Sequence, residues 1–448
     1  GFAGQRERIE AALAVHYAAG SDFASAAACH ENAASRALAS AAYDEAVIHL
    51  EGAVRAVAAL PQSPARQHQQ LELLLRQANL VSHAAGQSSD QVRRLYQRAK
   101  ALADALGDPA SAFAVLRGVE LYWRTSGDLE SAARVADDLF RIAVTGERVH
   151  LQEAYRIRGS IDFWAGALSE AQRHFDQSLA LSRELSPGER LAGGQETWVR
   201  CLGYQATLHW LRGYPDAAVA AAEQAIELAR RSDSPPLQVM AQILASWTFV
   251  LRRDHARVAA MATEARRQAL ECGFGFWASV ATIMLGWATA AAGEGRAGVQ
   301  VLQAGLETYQ SLGAGRPTVD FYLLLADTYL GLGDAAAGLQ AIDDAERMQP
   351  RFRQRYFAAE LHRLRGELLR IGSSDQQRVA DRCFGKALAL ARAQGARALE
   401  LRAAVSLARL HLERGSDEGV TTLARVASQW PAAEESFDWR QARQILSP

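Results

Sequence analysis

Gly333-Asp334-Ala335-Ala336-Ala337-Gly338-Leu339-Gln340-Ala341-Ile342-Asp343-Asp344-Ala345, with Pro350 shortly beyond, carries the pattern that decides the fold. Gly333 can adopt the left-handed backbone that ends one helix, and Asp334 can open the next. Gly338 and Ala345 lie seven residues apart with Ile342 between them, so two small side chains and one larger plug share a single helical stripe. A partner helix must come close along that stripe.

The stretch is one copy of a repeat. Small or β-branched anchors equivalent to Gly338 stand at Ala46, Val92, Ala132, Ala171, Ala218, Val258, Gly298, Ala380 and Val420, with successive gaps of 46, 40, 39, 47, 40, 40, 40, 42 and 40 residues. A glycine precedes the anchor by five in six of the ten units, at Gly127, Gly166, Gly213, Gly293, Gly333 and Gly415. Another small residue follows by seven in most: Ala53, Ala99, Ser178, Ala225, Ala265, Gly305, Ala345, Ala387 and Ala427. Leu50, Tyr96, Phe175, Leu302 and Phe384 fill the role of Ile342, and Gly107-Asp108, Pro235-Pro236, Gly313 and Pro350 separate units. Each unit therefore reads as helix A, a tight turn and helix B. One such hairpin cannot bury its apolar face alone, so the units stack, each on its neighbours.

This grammar resembles the tetratricopeptide repeat, with a period longer than the ~34 residues usual for it. The resemblance implies an all-α, right-handed superhelical solenoid of about ten to eleven helix hairpins, ending in a capping helix from Phe437 to Leu446. HEAT repeats share the longer period but do not call for the recurrent glycine turn and alanine stripe. The expected division is N-terminal helices over 1–60, the solenoid over 61–430 and the cap over 431–448. Pro61-Gln62-Ser63-Pro64 and the stretch from Ser186-Pro187-Gly188 to Gly193-Gly194 break the rhythm and read as loop insertions or slight changes in superhelical direction, not domain boundaries.

Composition agrees. At 448 residues the chain exceeds what one compact core usually holds, and the best helix formers dominate it. Lys and Arg number 49 against 50 Asp and Glu, which gives no global electrostatic case for nucleic acid or an anionic membrane. Cys29, Cys201, Cys272 and Cys383 form no CxxC pair, so neither a zinc site nor a disulfide framework is expected. The start from Gly1 to Glu10 is polar, and no apolar run approaches the ~20 residues of a spanning helix. The resulting expectation is a cytoplasmic protein without cofactor or metal.

Motifs of catalysis are missing from the sequence: HExxH, GxSxG and GxxxxGK[ST] do not occur, no GxGxxG follows a strand, and Gly385-Lys386 sits in a helix-B pattern with no glycine-rich loop ahead of it. His209 and His362 read as surface or packing residues, and Asp343-Asp344 and Glu434-Glu435 as solvated faces. The inner face is more informative. In stacked hairpins the A helices line the concave side, and residues fifteen, eleven and eight before each anchor share one face. They are Arg117, Leu121 and Arg124; Arg156, Ser160 and Phe163; Gly203, Thr207 and Trp210; Ile243, Trp247 and Val250; Ile283, Trp287 and Ala290. Trp164 and Arg200 flank the same strip, so Arg117, Arg124, Arg156, Trp164, Arg200, Trp210, Trp247 and Trp287 are the candidate binding residues. The arginines could clamp an acidic group while a ring stacks on indole. Equally, the tryptophans could fill interfaces and the arginines pair with Glu153 and similar neighbours.

The tail is more specific. Tyr356-Phe357-Ala358-Ala359-Glu360-Leu361-His362-Arg363-Leu364-Arg365-Gly366-Glu367-Leu368-Leu369, Cys383-Phe384, Ala391-Arg392-Ala393-Gln394-Gly395-Ala396, Leu399-Glu400-Leu401-Arg402-Ala403-Ala404 and Phe437-Asp438 resemble the C-terminal repeat region of bacterial STAND-type, MalT-like signalling ATPases. In that family a class III nucleotide cyclase or winged-helix DNA-binding domain precedes the ATPase. The resemblance implies a non-catalytic repeat module that binds a protein partner, small molecule or peptide in its concave groove and regulates an upstream domain of the same polypeptide. A stand-alone scaffold assembling protein partners is the alternative.

Overall fold

The computed structural model describes residues 2–312, 319–352, 355–371, 374–430 and 435–447. Among them every regular element is helical. Helix α1 (Phe2–Ala19) leads into ten antiparallel hairpins. The first five pair α2 (Phe23–Ala39) with α3 (Tyr43–Ala58), α4 (Pro64–Ala85) with α5 (Asp90–Leu106), α6 (Pro109–Ser126) with α7 (Leu129–Val144), α8 (Arg148–Ala165) with α9 (Leu168–Glu184), and, after the short α10 (Pro187–Glu189), α11 (Gln195–Leu211) with α12 (Pro215–Arg230). The remaining five pair α13 (Pro235–Leu251) with α14 (His255–Glu271), α15 (Gly275–Ala291) with α16 (Gly295–Ser311), α17 (Val319–Gly331) with α18 (Ala335–Phe352), α19 (Ala358–Arg370) with α20 (Ser374–Gln394), and α21 (Arg397–Glu413) with α22 (Glu418–Ala427). Helix α23 (Phe437–Leu446) follows. The chain is an all-α, tetratricopeptide-like superhelical solenoid.

All ten anchors fall in the second helix of a hairpin, and nine are buried. In the last unit the buried position is Gly419, where a Cβ would lie 2.7 Å from the Ala408 Cα, and Val420 is only half-buried. The closest approach is between α15 and α16: a Cβ on Gly286 would sit 2.4 Å from the Leu302 nitrogen, leaving no room for any side chain.

The turns form as the glycine spacing requires. At Gly127, φ is 94° and the Asp128 N–H donates to the Trp123 carbonyl at 2.9 Å, closing the helix end while the Asp128 side chain caps α7. Ala41 (φ 57°) and Arg253 (φ 61°) hold the same turn without glycine, at the same five-residue offset before Ala46 and Val258.

Two expectations about breaks are corrected. The stretch from Pro187 is helical: Ser186 caps α10 and a π-helical segment, Arg190–Gly194, runs straight into α11, so the extra residues lengthen a helix instead of forming a loop. Pro350 does not close α18, which continues to Phe352. Gly313 lies outside the described residues.

Successive turns of the superhelix touch. The Arg355 N–H donates to the Trp164 carbonyl at 2.8 Å, and Arg402 Nη2 donates to the Leu251 carbonyl at 2.8 Å across 151 residues. The rings of Tyr43 and Phe274 lie 4.6 Å apart. The concave side is therefore no open trough, because the next turn covers it.

Candidate functional site

Where one turn meets another, the inner faces line a partly open cavity of about 150 Å³. One wall comes from Phe163 and Trp164 of α8, Tyr204 and Thr207 of α11, and Trp247 of α13. The opposite wall comes from Phe276, Trp277 and Val280 of α15, Tyr309 of α16, Asp320 and Phe321 of α17, and Tyr356 and Phe357 before α19. Helical spacing explains the set: Gly203, Tyr204 and Thr207, like Ile243, Leu244 and Trp247, are the concave face of one A helix.

The rings form a belt. Phe163 lies 5.7 Å from Tyr204 and 4.5 Å from Tyr356. Tyr356 meets Phe357 at 4.4 Å, which lies 6.4 Å from Trp247, and Trp247 stacks on Phe321 at 6.2 Å. Tyr309 continues the belt, 5.4 Å from both Phe321 and Phe276. Such tilted and edge contacts hold each ring in place and make the wall rigid as well as apolar.

Asp320 breaks the apolar surface. It is 8% exposed, and Tyr356 Oη donates to its Oδ2 while Oδ1 has no hydrogen-bond partner. Burial pushes its carboxyl up to about 7, against the smaller effect of the Tyr356 hydrogen bond. Next to the belt, the Trp277 indole N–H donates to His83 Nδ1 at 2.9 Å. Burial, with Arg200 adding repulsion, pushes the His83 imidazole down to about 4, so the ring stays neutral and able to accept.

The arginines near the cavity are engaged. Arg124 Nε donates to Glu120 at 2.8 Å and Nη1 to Tyr204 Oη at 3.0 Å, and its guanidinium lies 5.4 Å from the Trp164 ring. Arg156 makes two 2.7 Å bonds to Glu153, which also accepts from Thr197. Arg200 donates to Glu196 at 2.9 Å. Burial alone would raise the Glu196 carboxyl, but Arg200 and Arg117 pull it down to about 2.

Of the eight candidate residues, Arg124, Trp164 and Trp247 line the cavity. Arg117, Arg156 and Arg200 belong to the neighbouring charge network and are not among its lining residues. Trp210 packs beneath Arg402, 4.8 Å from its guanidinium. Trp287 donates to Asp327 at 2.8 Å and lines a second cavity of about 40 Å³ with Arg253 and Glu360. Tyr204, Phe276, Trp277, Tyr309, Asp320, Phe321, Tyr356 and Phe357 escaped the spacing rule. The one available signal was Asp320, a lone charge opening the apolar run Phe321-Tyr322-Leu323-Leu324-Leu325.

No protein-family model matches the sequence, and no curated protein matches it. Solved structures do match. The likeness is one of fold. A Rap protein complexed with competence and sporulation factor is similar at a TM-score of 0.57 and 12% identity, covering 81% of this chain and 99% of that one. The apo quorum sensor NprR from B. thuringiensis is similar at a TM-score of 0.46 and 13% identity, covering 81% and 99%. A STAND protein with a tetratricopeptide repeat sensor from Pyrococcus horikoshii gives 0.31 and 12%, covering 86% and 52%. Among the described residues no cluster of metal-ligating side chains is present, and no helix is long and apolar enough to cross a membrane.

Proposed function

We propose that the chain is a non-catalytic sensor module that binds an effector in the cavity between its superhelical turns and passes the event on as a change in winding. One observation carries the reading: the wall is shared, with Phe163, Trp164 and Tyr204 on one side and Tyr356 and Phe357 on the other. A ligand touching both sides stabilises the closed coil and not an opened one, which is the differential affinity a switch requires. The Rap protein that this chain resembles in fold was solved with competence and sporulation factor bound, which supports ligand recognition by such a coil.

In this reading the output is an ATPase, cyclase or DNA-binding domain upstream in the same polypeptide. Residues 1–60 serve as the junction, 61–430 as the sensor and 431–448 as its cap, in the cytoplasm. Thermal-shift screening of the purified chain against small organic molecules and short peptides tests it, read by tryptophan fluorescence. Hits should disappear in Val280→Trp, whose indole fills the cavity, with helicity unchanged. Hits that all survive Val280→Trp would place binding elsewhere.

A further inference from the structure

Seven acidic side chains among the described residues are nine-tenths buried: Glu120, Glu153, Asp320, Glu360, Glu367, Glu400 and Asp438. Six of them face an arginine, respectively Arg124, Arg156, Arg363, Arg370, Arg392 and Arg402 for all but Asp320. Asp320, which lines the cavity, faces a tyrosine hydroxyl instead, and its Oδ1 is buried and unpartnered. A buried carboxylate left without a cation is costly, and this chain supplies a guanidinium everywhere else. Around Asp320 stand Phe321, Tyr356, Phe357, Tyr309 and Trp247, whose ring faces attract positive charge.

We propose that this cavity selects a small organic cation, an ammonium or guanidinium on an apolar body of about one ring, with Asp320 as its counter-ion and the belt as its aromatic cage. The assignment rests on reading the cavity as the effector site and names the chemistry of that effector. The volume suits it: a cavity of about 150 Å³ is the size that accepts benzene. A hard metal ion would want six or more oxygens, and one carboxylate among rings cannot supply them. An anion would meet the carboxylate, while the guanidinium that lines the cavity, that of Arg124, is already held by Glu120 and Tyr204. The raised Asp320 carboxyl fits as well, since a site waiting for its cation keeps a proton in its place.

The test is calorimetric titration of the whole chain with 2-phenylethylammonium, 2-phenylethanol and phenylacetate, which share a ring and differ in charge. The cation should bind at least about tenfold more tightly than the alcohol, and phenylacetate should bind more weakly still. Asp320→Asn should lose about tenfold for the cation with the alcohol unchanged. Equal or tighter binding of the alcohol or phenylacetate overturns the cation assignment while leaving the cavity reading standing. Unchanged cation affinity in Asp320→Asn does the same, and if that variant unfolds, the charge order in the native chain decides alone. Absence of binding by all three overturns both. A capped pentapeptide with a central arginine should bind less tightly than the free amine; tighter binding would overturn the small-molecule assignment.

Discussion

The indole N–H of Trp277 and the unprotonated Nδ1 of His83 meet at 2.9 Å across 194 residues of chain, close to five repeat periods. The bond joins α15 to α4, so it links one superhelical turn to the next, and it works only while the imidazole is neutral.

His83 therefore makes the closed coil sensitive to acid. Its pKa falls from 6.5 to about 4 on folding, so its stabilising effect is fully present above pH 6.5 and lost as pH falls towards 4. Arg200 favours the neutral ring and Glu196 opposes it. Thermal unfolding followed from pH 7 to pH 4.5 should show a steeper loss for the native chain than for His83→Gln. Parallel curves would contradict this.

Asp320 has the opposite sign. Its pKa rises from 3.8 to about 7, so the folded chain holds this proton more tightly than the unfolded chain; the stabilisation is complete below pH 3.8 and is lost as pH rises through 7. Asp320→Asn, without ligand, should gain Tm relative to the native chain between pH 5 and pH 8. A Tm difference independent of pH would show that the carboxyl does not titrate there.

Two glycine substitutions should separate close packing from helix propensity. Gly286→Ala forces a Cβ to within 2.4 Å of the Leu302 backbone and should cost about 3 kcal/mol. Gly385→Ala, in the middle of α20 with nothing within 4 Å, should instead stabilise by roughly 0.5–1 kcal/mol. Denaturant titration of the two variants checks both signs.

Arg402 ties several elements at one point. It donates to Asp438 of α23 at 2.7 Å and to the Leu251 carbonyl of α13, with Glu360 of α19 at 3.3 Å. Arg402→Ala leaves the Asp438 and Glu360 carboxylates short of a partner and should cost about 3–5 kcal/mol, measured by urea unfolding. A loss below 1 kcal/mol would mean the pair is no better than a surface one.

Sequence spacing carries what neighbours need and little beyond. The repeat encodes each hairpin's contact with the next, so the small-residue stripe and all six glycine turns, from Gly127 to Gly415, could be read directly. Ala41 and Arg253 hold the same turn because surrounding packing imposes a strained φ that their residue types do not advertise. Val420 fits the period as well as Gly419 does, because the period is defined only to within a residue, and only the structure shows that Gly419 is the one in close contact. For the cavity, the three-and-four spacing reaches Arg124, Phe163, Gly203, Thr207, Ile243 and Trp247, with Trp164 flanking the strip. Tyr356 and Phe357 of the facing wall come from nearly two hundred residues beyond Phe163, and no local periodicity says that Tyr356 will meet Phe163 at 4.5 Å. Nor could spacing show which arginines are held: Arg156 and Glu153 three residues apart suggested a pair, while Arg124 and Tyr204 had to be brought together by folding.

The closed coil is most directly tested at the Arg355 amide, which lies outside any helix and whose donor is committed to the Trp164 carbonyl on the adjoining turn. Residue-resolved hydrogen exchange should find it protected to a degree typical of helix interiors, and more so when 2-phenylethylammonium is bound. Exchange at the rate of an exposed loop, unchanged by the amine, would mean that the turns do not close and that the cavity between them does not exist.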